Sequence, residues 1–263
     1  MRVEILTLFP GMVEPMLTGS ILGRAQRAGV WSLGVTDIRE SGLGKHRTVD
    51  DAPYGGGSGM VMRVDVVDAA IARLRRPESR VILLEAAGTP FTQEVARRLA
   101  GESHLVLVCG HYEGVDARVA DLLVDESLSL GDFVMTGGEI AACAVVDAVV
   151  RLLPGALGNS ASTEEESFSA GLLEYPQYTR PLEFRGKVVP EVLRSGDHAR
   201  VHDWRKAQAE ARTWSLRPDL AERAGLRDPA IVEAEKREAT ERKAARRKRK
   251  GEGEAVPKGS QPA

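Results

Sequence analysis

Cysteine and aromatic side chains are scarce in this chain, and no long apolar run interrupts it. The two cysteines, Cys109 and Cys143, stand far apart, each in an apolar stretch. There is no C-x-x-C pair, so the ligand spacing of zinc sites and of dithiol redox centres is missing. A reducing, cytoplasmic setting is the expectation. The longest apolar stretch, Ile140 to Leu153, carries Asp147 and Arg151. It falls short of the roughly 20 apolar residues that a membrane span needs, so no membrane role is expected. Met1 to Pro10 carries Glu4 and is too short for a signal peptide. The Gly-Lys-Ser/Thr triplet of phosphate-cradling loops is absent. After the first apolar strand stands Phe9-Pro10-Gly11-Met12 rather than G-x-G-x-x-G, which argues against an ordinary dinucleotide site. Internal repeats are absent too.

Charge of one sign is not in excess either: 36 Lys and Arg face 38 Asp and Glu, for a net charge of −2. The whole chain therefore does not announce a nucleic-acid partner. The distribution is uneven, however. Lys236 to Lys250 holds nine Lys or Arg against two Glu and ends in an unbroken basic run from Arg246. Two readings stand: a cluster that neutralises phosphates, or a solvated helix end fraying into a tail. With 43 % hydrophobic residues in 263, composition is that of a globular protein with one large core or two modest ones.

Strand and helix signals alternate through the first half. Val3 to Phe9 reads as a strand closed by Pro10-Gly11, followed by a helical pattern from Met12 to Ala28. Leu33 to Ile38 reads as a strand, Val64 to Leu74 as a helix, Arg80 to Leu84 as a strand and Thr92 to Ala100 as a helix. Leu105-Val106-Leu107-Val108 is a continuous apolar run, the mark of a strand covered on both faces. A short helix and a short strand follow near Asp121 to Val124, then a helix from Glu139 to Leu153 that stops at Pro154-Gly155. This alternation predicts an α/β fold with a mainly parallel sheet, whose ligands bind at the carboxyl ends of the strands. Gly158 to Gly171 has no apolar period and reads as a linker. From Pro190 onward the signals are helical: Pro190 to Leu193, Asp197 to Ser215, Pro218 to Ala224 and Pro229 to about Arg247.

Three glycine-rich segments carry the chemistry. They are Pro53-Tyr54-Gly55-Gly56-Gly57-Ser58-Gly59-Met60, Cys109-Gly110-His111-Tyr112-Glu113-Gly114, and Leu130-Gly131-Asp132-Phe133-Val134-Met135-Thr136-Gly137-Gly138-Glu139. Each alone is a turn as readily as a ligand loop. Two of them flanking successive elements of one sheet point to a site where a ligand approaches the backbone closely. Lys45-His46-Arg47 beside the first loop suits an anionic or polar partner, or is simply exposed. His198 and His202 lie four apart but lack the Glu of H-E-x-x-H, so they read as surface or nucleic-acid-facing residues. Arg200, Trp204, Arg205 and Lys206 either stack on unpaired bases or form an amphipathic helix with Trp204 turned inward.

In order along Met1 to Leu216, several segments resemble the bacterial tRNA (guanine-N1)-methyltransferases. They are Leu8-Phe9-Pro10, His46 to Gly57, Cys109 to Gly114, Gly131 to Glu139, Arg151 to Gly155 and Tyr178-Thr179-Arg180-Pro181. The resemblance implies a SPOUT fold over 1–160, an α/β sheet whose C-terminal part is tied into a deep trefoil knot. A linker over 161–175 and a small all-helical, tRNA-binding domain over 176–247 would follow, with a disordered tail over 248–263. It implies S-adenosyl-L-methionine as methyl donor, a homodimer with shared active sites, and guanosine 37 of tRNA, beside the anticodon, as target. The donor would lie among Leu83, Leu84, Glu85 and Gly88; Gly110, Tyr112 and Glu113; and Ser129, Leu130, Gly131, Phe133, Met135, Gly137 and Gly138. His46, Arg47, Asp50, Gly59, Arg200, Trp204 and Arg205 would bind the anticodon stem-loop. Leu83 and His111 stand where the family often has an aromatic residue and Arg. A magnesium requirement associated with the family finds no carboxylate cluster, and no metal ligand is assigned.

Guanine N1 is a poor nucleophile while it holds its proton. Its removal leaves an anion shared with O6, so the reaction needs a base near N1 and a cation near O6. By the resemblance Arg151 is the cation. The family's aspartate base falls on Glu166, with Glu165 as second choice. Two rivals remain: ribose 2′-O-methylation on the same fold, and a tRNA-binding relative without catalysis.

Overall fold

The computed structural model describes residues 1–157, 166–169 and 171–252. Its internal packing divides the chain into two units, 1–161 and 162–263.

The first unit is built on five parallel strands in the order β2-β1-β6-β5-β7. They are β1 (Arg2–Thr7), β2 (Ser32–Asp37), β5 (Ser79–Pro90), β6 (His104–Cys109) and β7 (Glu126–Ser129). A two-stranded hairpin, β3 (Asp50–Asp51) with β4 (Val61–Met62), stands apart from this sheet. Central β6 is buried along its whole length, and its side chains alternate between two cores, as the pleat requires. Leu105, Leu107 and Cys109 join Val3, Ile5, Ile82 and Leu84 on one face. Val106 and Val108 join Leu6, Val81 and Leu83 on the other. The first face is covered by α1 (Pro10–Leu17), α2 (Ser20–Arg27), α4 (Gln93–Ala100) and α6 (Glu139–Val150). The second is covered by α3 (Val64–Leu74) and α5 (Ala117–Leu122). Each fully buried aliphatic side chain adds about 1.5–3 kcal/mol of transfer free energy. The two-sided core is therefore what fixes the sheet.

Register sets the site. Leu84 of β5 pairs with Cys109 of β6 and with Leu128 of β7, so the ends of β6 and β7 lie level with the point where regular β5 pairing is interrupted. Beyond Leu84 the pairing slips and resumes at Thr89–Leu128. The strand expected to end at Leu84 therefore continues to Pro90 past an irregular segment.

Two further expectations change. The helix expected from Met12 to Ala28 is two helices, broken at Thr18-Gly19 with Ser20 in left-handed backbone (φ 48°). That conformation is incompatible with a continuing right-handed turn. The second unit is not all helical. Before its helices stands a hairpin of β8 (Glu183–Phe184) and β9 (Lys187–Val188). Arg185 and Gly186 turn it with φ of 49° and 76°, the two positive angles that a tight hairpin turn requires. A 3₁₀ turn (Glu191–Arg194), α7 (His198–Leu216), α8 (Pro218–Arg223) and α9 (Pro229–Glu252) follow. Asp197 caps α7 by accepting from Arg200 N at 3.1 Å. Thr213 is buried between Ala209 O (2.7 Å) and Leu173 N (2.9 Å). Helix α9 continues beyond the expected boundary at 247, through Lys248, Arg249 and Lys250, residues of good helix propensity, to Glu252. Residues 253–263 of the expected tail, and much of the expected linker, lie outside the described residues.

Candidate active site

Where β6 and β7 end beside the irregular segment of β5, that segment and the two following loops line a cleft of about 310 Å³. That is the lower end of the range for small-molecule sites, roughly 300–1,000 Å³. Leu83, Leu84, Leu128 and Ala141 give it an apolar floor, and Glu85 and Glu113 bring two carboxylates to its wall. The rest is made by loop residues, 110–115 on one side and 129–131 with 133–138 on the other.

The loops are held by close backbone approach. Gly138 N donates to Gly110 O at 2.9 Å, and His111 pairs with Gly137 in an antiparallel bridge. A Cβ on Gly138 would stand 2.8 Å from Cys109 Cα, so only glycine lets α6 begin this close to β6. Below the loop, Thr7 Oγ1 donates to the buried Glu139 Oε1 at 2.7 Å and accepts from Phe9 N at 2.9 Å. This ties the start of α6 to the end of β1. Ser129 Oγ exchanges hydrogen bonds of 3.2 Å with Gly131 N and O, which fixes the entry of the third loop.

Burial, reinforced by the Glu139 charge, pushes the Cys109 thiol well up and the Cys143 thiol up. Both stay protonated, and neither is a nucleophile. His111 contributes an orphan: its Nδ1 is buried without a hydrogen-bond partner, while its ring lies 4.8 Å from that of Phe9 and 5.1 Å from that of Tyr112.

The positions expected to hold the donor fall on this cleft with one exception. Leu83, Leu84 and Glu85 line it from β5, and Gly110, Tyr112 and Glu113 from the β6 loop. Ser129, Leu130, Gly131, Phe133, Met135, Gly137 and Gly138 line it from the third loop. Gly88 does not. It lies in the irregular part of β5, where a Cβ would come within 2.5 Å of the Leu128 backbone carbon. Its smallness serves strand packing. Ala86, Ala87, Val115 and Ala141 also line the cleft. Small apolar residues carry no signal in a single sequence that separates lining from core.

The first glycine loop reaches the same place. It closes the β3–β4 hairpin, in which Asp50 pairs with Met62. Glu113 N donates to Met60 O (3.1 Å), Met62 N to Gly114 O (3.0 Å) and Asp116 N to Met62 O (3.0 Å). The Glu113 side chain packs directly on Gly59. Asp50 and Gly59 are thus stitched to the cleft's second loop. His46 and Arg47 stay exposed on a turn closed by Leu43 and Thr48, and they do not line the cleft.

Arg151 caps the C-terminus of α6, its N–H donating to Asp147 O at 3.2 Å, and is half-buried. Glu166 belongs to the second unit, half-buried in a turn where Ser169 N donates to its carbonyl at 3.0 Å. Glu165 lies outside the described residues. In the same unit the Arg205 guanidinium lies 4.7 Å over the Tyr175 ring, and Trp204 packs 6.2 Å from Tyr178. Arg200 is exposed, as is His202, whose Nδ1 lies 3.4 Å from Asp203 Oδ1. Among the described residues no group of three or more His, Cys, Asp or Glu could hold a metal ion, and no helix is long and apolar enough to cross a membrane.

Residues 1–223 match the family model described as tRNA (guanine-1)-methyltransferase TrmD. The chain belongs to this family. Membership gives the first unit its SPOUT class. Curated relatives named tRNA (guanine-N(1)-)-methyltransferase are similar over most of their length. The protein of Myxococcus xanthus is 58 % identical over 227 residues, covering 85 % of this chain and 92 % of its own. That of Thermus thermophilus is 54 % identical over 226 residues, covering 86 % and 94 %. That of Geobacillus kaustophilus is 50 % identical over 230 residues, covering 87 % and 94 %. The family match ends at 223, ahead of α9.

Proposed function

We propose that this chain transfers a methyl group from S-adenosyl-L-methionine to N1 of guanosine 37 of tRNA, in the cytoplasm. The observation that carries the reading is the cleft, set at the carboxyl edge of the sheet in a chain of this methyltransferase family. Its residues fit the donor. The apolar floor suits an adenine ring, loop backbone offers donors and acceptors to the ring edge, and Glu85 and Glu113 suit the cationic end. His111 Nδ1 is a buried polar atom awaiting a partner.

The bound donor supplies an electrophilic methyl on a sulfonium, which leaves as a neutral thioether. The remaining chemistry falls to the protein. The Glu166 carboxylate takes the proton from guanine N1, and the electron pair freed on N1 forms the new N–C bond. The Arg151 guanidinium donates to O6, where charge develops as the proton leaves. The loop residues would hold the donor beside the guanine, which would remove much of the orientational part of the barrier. No covalent enzyme intermediate is needed, in keeping with two protonated, buried thiols. Magnesium has no site assigned in this reading.

The working form in this reading is a homodimer with shared active sites. Helices α1 and α6 pack on one another and expose Met12, Met16 and Ile140, apolar side chains that a second copy would cover. Arg200, with Trp204 and Arg205 of α7, grips the anticodon stem-loop.

The test is the identity of the product. The protein is incubated with tRNA and methyl-labelled donor, the RNA is digested to nucleosides, and the label is located. N1-methylguanosine is the expected product. A 2′-O-methylated nucleoside would assign the fold to ribose methylation instead, and absence of any label would leave a tRNA-binding protein.

A further inference from the structure

Tyr54 is the most exposed large hydrophobic side chain among the described residues of the first unit, standing wholly in solvent. Isolated exposed aromatics are ordinary, but the setting of this one is not. It leads a run in which Gly55, Gly56, Gly57 and Gly59 all have positive φ, between 80° and 131°. These angles hold the loop out as an arch that other residues adopt only at a cost. The base of the arch is fixed at both ends: the β3–β4 pairing joins its two sides, and three backbone hydrogen bonds sew 60–62 to 113–116. Glu113, which lines the cleft, lies against Gly59. A stiff base beside the cleft thus presents one aromatic ring with both faces bare.

Exposing a tyrosine ring forgoes burial, and the flanking glycines give it nothing to pack on. Base–aromatic stacking would return about 1–3 kcal/mol per base. An anticodon loop offers unpaired bases, and the protein must splay them apart to bring one base edge to a methyl group in a cleft. We infer that Tyr54 stacks on an unpaired base adjacent to the target guanosine, holding the loop open while the guanine enters the cleft. This rests on the tRNA reading above and adds a substrate-positioning residue to it.

The experiment uses full-length protein and an anticodon stem-loop with 2-aminopurine placed, in separate RNAs, on each side of the target guanosine. Wild type should quench one of the two probes on binding. Tyr54→Ala should lose that quench and raise the KM for tRNA about ten- to hundredfold. Tyr54→Phe and Tyr54→Trp should restore both, since a ring and not a hydroxyl is required. Donor affinity and oligomeric mass should not change. Four results overturn the inference. They are an unmoved KM and quench in Tyr54→Ala, failure of Phe to rescue, an equal loss of donor affinity, which would make the ring part of the donor site, and a change of mass, which would make it a subunit contact. If wild type itself makes no N1-methylguanosine, the function reading falls, and this inference falls with it. If wild type is active and Tyr54→Ala is indistinguishable from it, only this inference falls.

Discussion

In the proposed reaction Glu166 and Arg151 would carry opposite halves of one proton transfer, and their substitutions should separate chemistry from binding. Glu166→Gln keeps the shape and removes the base, so kcat should fall about 10²–10⁴-fold, the usual contribution of a positioned base. Arg151→Ala should also lower kcat. Donor affinity by equilibrium dialysis should stay within about twofold of wild type in both. Should Glu165→Gln lose turnover while Glu166→Gln keeps it, the base is Glu165. His104 makes a second residue-level case. It is 2 % exposed, its Nδ1 lies 2.7 Å from Ser79 Oγ, and its Nε2 is buried without a partner. Burial, aided by the Arg76 charge, lowers its pKa below the usual 6.5. The unfolded chain then binds more protons than the native one just below pH 6.5, so stability is full above that value and is lost as pH falls. Urea melts between pH 7.5 and 5.5 should show this decline, and His104→Gln should flatten it. A His104→Gln slope equal to that of wild type would remove the imidazole as its source.

Helix α6 shows how an element inherits its place from a few contacts. Its first residue, Glu139, is held by Thr7 at the end of β1, and its last turn delivers Arg151. Thr7→Val should cost about 1–3 kcal/mol, because a buried carboxylate oxygen and the Phe9 N–H lose a partner. The urea midpoint reads this, and an unchanged midpoint would mean that water replaces the hydroxyl. At this scale much of the fold was legible in sequence. Leu105-Val106-Leu107-Val108 announced β6 because a strand buried on both faces needs an unbroken apolar run. Helix α3 spans the expected Val64 to Leu74 because its apolar period is clean. Strands of two residues, as in β3–β4 and β8–β9, are too short to show alternation. The break at Ser20 hides in a continuous helical pattern, since serine itself gives no sign of a left-handed angle. The cleft was legible through its glycines. Gly88 carries the same signal but stands outside the lining, packed against the Leu128 backbone.

Across the whole molecule, a net charge of −2 must meet a polyanion, so local cations have to carry the attraction. Replacing Arg246, Arg247, Lys248, Arg249 and Lys250 with glutamine should flatten the salt dependence of tRNA binding by about 0.7–0.9 in log–log slope for each phosphate no longer neutralised. It should leave kcat unchanged. An unaltered slope would make this run a solvated end without a role in binding. The central claim is simpler: the proposed methyl donor would sit in the cleft at the ends of β6 and β7, beside the irregular segment of β5. The most direct measurement is titration calorimetry of S-adenosyl-L-methionine into the purified full-length protein, with and without tRNA, for wild type and Gly138→Ala. The account predicts saturable binding to wild type and loss of it in a Gly138→Ala variant that still unfolds cooperatively, because the added methyl drives α6 from Cys109. Wild type that takes up no donor even with tRNA present, or a variant that binds it as tightly as wild type, would contradict it.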